Sequence, residues 1–126
     1  EVVQDLQEIS QVMEQLLPGI RLHDTNSLTS FHVHESDFHK VLVRSNDNII
    51  LDAIYENLSP LLDQSLAFAA MTSEEYEKKV REYQYIAEAL SNGQTDLAVA
   101  LVLVNLTNLK KKIESHAEKN SRVAFA

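Results

Sequence analysis

Apolar residues recur along the chain with the period of an α-helix. Val2, Leu6, Ile9, Met13 and Leu16 step by four and three residues, which makes the first segment an amphipathic helix. Pro18-Gly19 is expected to end it. Gly19 to Leu28 reads as an irregular connection, and Thr29 or Ser30 as the cap of a second helix running to about Arg44. Beyond a polar Ser45-Asn46-Asp47-Asn48 turn, Asp47 caps a third helix that buries Ile50, Ile54, Leu58, Leu61, Leu62 and Leu66 and kinks or breaks at Pro60. Thr72-Ser73-Glu74-Glu75 has the order of a capping box. The helix after it buries Tyr76, Val80, Tyr83, Ala87 and Leu90, and Gly93 terminates it. Thr95 caps the last helix. Its first half, Leu97 to Val104, is apolar nearly all round and is expected to be central and covered on most sides, whereas Lys110 to Lys119 turns polar. The prediction is an all-α fold, an antiparallel helical bundle of five or six helices, in one domain spanning residues 1–126.

Composition narrows the function classes. The chain has 126 residues, enough to bury a core, and two glycines with two prolines argue against a turn-rich all-β fold. The absence of cysteine removes disulfides, thiol nucleophiles and zinc–thiolate sites. Nineteen acidic residues against eleven basic ones give a net charge of −8, which phosphate backbones repel. The basic run Lys110-Lys111-Lys112 reads as a solvated face or a charge complement to a helix end. No signal peptide is visible, and the apolar run Leu97 to Val104 is too short to span a bilayer, so a cytoplasmic location with no membrane partner is expected. The chain starts already in helical pattern, as a piece of a longer protein would. It has no nucleophile elbow, no glycine-rich phosphate loop and no His-Glu-x-x-His, so it is not expected to be an enzyme.

The chemistry is concentrated between Phe31 and Ile50. His32, Glu35 and His39 are spaced i, i+3, i+7 and share one stripe of the second helix, flanked by Phe38, Val41 and Leu42. Three metal or anion ligands beside an apolar face point to a pocket inside the bundle.

The succession of motifs resembles a known family. Glu35, Phe38 and His39 are followed by Leu42, by Ser45-Asn46-x-Asn48, by an apolar helix and by Glu82-Tyr83-Gln84-Tyr85-Ile86-Ala87-Glu88-Ala89-Leu90-Ser91-Asn92-Gly93. A helix with small Ala98 near its start comes last. This order is similar to the FCD domain, the C-terminal effector-binding domain of the FadR branch of GntR-type bacterial transcription regulators. The resemblance spans roughly Leu6 to Ile113. It implies a ligand-sensing and dimerisation domain that binds a small-molecule effector, a carboxylate, works as a homodimer and reaches DNA only through a separate N-terminal winged helix-turn-helix absent from this chain. It also implies a metal site whose four ligands fall on Glu35, His39, Tyr83 and Asn105. Glutamate for the family's aspartate keeps an oxygen ligand, but a phenol and an amide replace two imidazoles.

Two readings of the site stand open. In one, Glu35 and His39 hydrogen-bond each other in a metal-free polar pocket, where Tyr83 and Asn105 meet an organic ligand or a water. In the other, Glu35 and His39, with His32 as an alternative ligand, hold a divalent zinc, nickel or manganese ion. Arg44 is a candidate partner for a ligand carboxylate or a surface ion pair. Tyr76 and Tyr85 read as aromatic packing, His34 as a core-edge residue, and His23 and His116 are given no role. Other functions the chain allows are a metal-binding bundle and a ligand-free structural dimerisation module.

Overall fold

The computed structural model describes residues 2–45, 53, 56 and 71–125, with side chains at 2–43, 53, 56, 71–112, 114 and 115. Helices account for the described secondary structure: α1 (Val2–Gln15), α2 (Leu17–Arg21), α3 (Thr25–Ser45), α4 (Ser73–Ser91) and α5 (Thr95–Phe125). Four of these are long, and α2 is a short turn of helix. The all-α bundle expected from the apolar periodicity is the fold observed. The helix expected over Asp47 to Leu66, with its break at Pro60, lies outside the described residues except at Ala53 and Glu56, which are helical and exposed.

The region before α3 differs from expectation. The first helix ends at Gln15, ahead of the proline, and Pro18 and Gly19 sit within α2. Proline is at home in a first helical turn, where its missing N–H would have no partner anyway. Gly19 is needed there, because a Cβ on it would lie 2.1 Å from Ser27 Oγ and 2.8 Å from Ser27 Cβ. The next helix starts at Thr25, not after Thr29 or Ser30. Asp24 is its cap: the Ser27 hydroxyl donates to its carboxylate at 2.7 Å. That bond, with the backbone amides of Asn26 and Ser27, holds the carboxyl below its ordinary value. Between α2 and α3, Asp24 N–H bonds Gly19 C=O and His23 N–H bonds Ile20 C=O. This is the Schellman pattern, with His23 at φ 58° where glycine is usual.

The boundaries of α4 follow the expected signals, whereas α5 begins at Thr95 itself, with Gln94 in the capping position expected for Thr95. Thr72 and Glu75 exchange both capping-box hydrogen bonds at the start of α4, and Gly93 (φ 73°) closes it. Tyr85, though, is exposed rather than packed. α1 packs on α3 and α4, and α4 packs on α5. The core joins Leu6 and Met13 of α1, Phe31, Phe38 and Leu42 of α3, Tyr76, Val80, Tyr83 and Ile86 of α4, and Val102, Leu106 and Leu109 of α5. α5 is not covered on most sides. Ala98, Val102, Leu106 and Leu109 are buried, but Leu97 and Val104 are 47% and 58% exposed. Among the described helices only α4 packs on it, so a single stripe is used. α4 and α5 run antiparallel: Glu82 bonds Asn105, and Glu75, seven residues earlier, pairs with Lys112, seven later.

Candidate functional site

α3 and α4 meet through side chains alone. No α-carbon of one lies within 8 Å of an α-carbon of the other among the described residues. Long polar and aromatic groups fill the gap as three rungs. His32 Nε2 meets the Tyr76 hydroxyl at 3.0 Å, Lys79 Nζ donates to Glu35 Oε2 at 2.6 Å, and His39 Nε2 meets the Tyr83 hydroxyl at 3.1 Å. Each rung joins residues 44 apart in sequence, so the two helices run parallel in a fixed register. The i, i+3, i+7 stripe of His32, Glu35 and His39 faces an identical stripe of Tyr76, Lys79 and Tyr83. Phe31 and Phe38 brace the tyrosines at ring-centroid distances of 4.9 and 4.7 Å.

Hydrogen-bond bookkeeping orders the protons. Tyr83 donates its only hydroxyl proton to Glu35 Oε2, at 2.5 Å. Its oxygen therefore accepts from His39 Nε2–H. At the other carboxylate oxygen, His32 Nδ1–H points to Glu35 Oε1 at 3.5 Å, leaving Nε2 to accept from Tyr76. Burial disfavours the charge on Glu35, but Lys79 foremost, with His32 and His39, outweighs it and holds the carboxyl well below the usual range. Burial pushes His39 down to about 4, against the pull of Glu35, so it is neutral at pH 7. Burial and the Glu35 charge raise Tyr76 to about 12 and Tyr83 well above its ordinary value. The centre holds one carboxylate, one ammonium, neutral histidine and protonated phenols.

A cavity of about 330 Å³ adjoins this network, between α4 and α5. Lys79, Glu82, Asn105, Leu109 and Lys112 are among its walls. Asn105, 5% exposed, donates Nδ2–H to Glu82 at 3.1 Å, while its Oδ1 is buried without a hydrogen-bond partner. Burial lowers the Lys112 ammonium from its ordinary value even though Glu75 pairs with it.

The FCD domain family matches the chain over residues 1–108. This chain is a member of the FCD family. No curated protein and no solved structure matches it. FCD domains are the effector-binding domains of GntR-type regulators, a regulatory family and not an enzyme family. No described helix is long and apolar enough to cross a membrane.

Of the residues predicted for this FCD site, Glu35, His39 and Tyr83 come together, sealed at 0–2% exposure. Asn105 reaches the Tyr83 hydroxyl from α5 and walls the cavity. His32 touches Glu35, and the side chain of Arg44 lies outside those described. Lys79 was not singled out, nor was Tyr76 as a polar partner. The signal was present, since Tyr76, Lys79 and Tyr83 repeat the spacing of His32, Glu35 and His39. Lys112 is likewise part of a cavity wall and not simply of a solvated run. As a donor set for the divalent ion that the family implies, the centre does not fit. Glu35 Oε2 already holds an ammonium and a phenol proton, and His39 presents Nε2–H to Tyr83. Among the described residues, no three His, Cys, Asp or Glu groups cluster to hold a metal.

Proposed function

We propose that this FCD domain is the ligand-sensing and dimerisation part of a cytoplasmic GntR-type regulator, and that its effector is a small organic acid bound in the cavity between α4 and α5. The observation that carries this reading is the buried, unpartnered Asn105 Oδ1 in the wall of a cavity that Lys78, Lys79 and Lys112 also line, with Glu75 and Glu82. An orphan buried acceptor calls for a donor, and a ligand hydroxyl or amine supplies one. The ligand carboxylate would face Lys79 and Lys112, whose partly desolvated ammonium groups gain from an anion. A volume of about 330 Å³ suits a molecule of a few carbons. Lys79 links the cavity to the sealed Glu35–His39–Tyr83 network, so an anion beside it favours one relative placement of α3 and α4 over another. In the homodimer, differential affinity for the two placements would reposition the DNA-binding heads carried by a separate N-terminal domain.

The test is thermal unfolding with a panel of short mono-, di- and hydroxycarboxylates, with EDTA present throughout. One acid should raise Tm by mass action, a stabilisation of about 2.7 kcal/mol when ligand stands at a hundred times Kd. Asn105→Ala and Lys112→Met should each weaken that acid about tenfold or more, the loss of one hydrogen bond or ion pair. The proposal fails if no acid shifts Tm, or if both variants respond like the wild type.

A further inference from the structure

We propose that Lys79 is the resident cation of this domain: its ammonium fills the charge-compensating place of a divalent ion at Glu35, and the site works without metal. Four observations carry this. Glu35 is wholly buried, so its charge requires a counter-charge within contact distance, and Lys79 Nζ supplies it at 2.6 Å. Lys79 is itself only 13% exposed, so the pair is shielded rather than a loose surface contact. Its rung has the same 44-residue offset as the two histidine–tyrosine rungs on either side, so the register that aligns those rungs also places the ammonium on the carboxylate. The remaining groups are spent in the same direction. Tyr83 gives its proton to Glu35, and His39 directs Nε2–H, not a lone pair, toward the centre. A divalent ion entering here would have to displace the ammonium, strip the phenol proton and turn the imidazole.

This inference stands apart from the effector reading, because its test needs no effector. Protein stripped with EDTA is dialysed against zinc, nickel or manganese, and bound metal per chain is compared between wild type and Glu35→Gln. The expected Glu35-dependent uptake is nil. One equivalent per chain that Glu35→Gln abolishes would overturn the proposal. A second arm removes the ammonium. Lys79→Ala should lose roughly 10 °C or more in Tm by stranding a buried carboxylate. Glu35→Gln/Lys79→Met, which removes both charges, should recover most of that loss. Should Lys79→Ala not fold, Lys79→Arg, which keeps the cation, is expected to fold and remain free of metal. A Lys79→Ala protein as stable as wild type would also overturn the assignment.

Discussion

At the scale of single residues, the centre is a buried carboxylate kept ionised by its surroundings. Glu35 accepts from Lys79 and Tyr83 on one oxygen and faces His32 on the other. Removing one donor leaves the rest of the network under-satisfied. Tyr83→Phe deprives Glu35 of a donor and His39 of an acceptor while conserving the ring on Phe38, and it should cost about 1–3 kcal/mol in urea unfolding. A loss within error would mean that the hydroxyl is not holding the rung. Acid should act through His39. In the fold it titrates near about 4, against an ordinary 6.5 in the unfolded chain. Between those values the unfolded chain binds the extra proton, so stability is full above about pH 6.5 and declines by about 3 kcal/mol as pH falls toward 4. Glu35 adds to the loss in the same sense below its ordinary 4.5, since its folded carboxyl is depressed. Unfolding followed from pH 7 to 4.5 should show the decline in wild type and a flatter profile in His39→Gln. Parallel profiles would remove His39 as its source.

At the scale of elements, α3 and α4 are registered by polar rungs rather than by close backbone packing, which ties the position of each helix to the state of a few charges. Their ends are set locally. The Schellman closure before α3 holds His23 at φ 58°, a left-handed conformation that costs an L-residue energy and glycine almost none. His23→Gly should therefore stabilise the domain by about 0.5 kcal/mol, the strain relieved exceeding the added freedom of the unfolded chain. Calorimetry showing a lower Tm would place some undetected contact on this exposed imidazole. The same turn shows why the start of α3 was hard to read: the cap is Asp24, but a histidine stands where the usual glycine would have announced the end of the preceding helix.

At the scale of the whole molecule, α5 carries an apolar face that the described helices leave open. Leu97 and Val104 are seven residues apart on that helix and both about half exposed. The homodimer proposed above would use it, since burying two such side chains from each copy removes apolar surface from water. The acidic balance of −8 opposes self-association in general, so a dimer needs a specific apolar contact of this kind. Leu97→Lys/Val104→Lys should convert a dimer to a monomer in light scattering without loss of helical circular dichroism. A double variant that stays dimeric would assign the interface elsewhere.

What the sequence by itself determined is the helical class, the capping box at Thr72, the stop at Gly93 and the buried stripe of α1. Each depends on residues within a turn or two of one another, and local periodicity and capping chemistry report them directly. The His32, Glu35 and His39 stripe and the family were legible for the same reason, as patterns of spacing along the chain. What only the tertiary structure decided is which groups those side chains meet. The i, i+3, i+7 spacing of Tyr76, Lys79 and Tyr83 was in the sequence, but its meaning lay in a parallel register across 44 residues, which no local signal encodes. Nor could composition tell that the apolar run of α5 would be covered on one side only, because burial belongs to the neighbours a helix acquires, not to the helix.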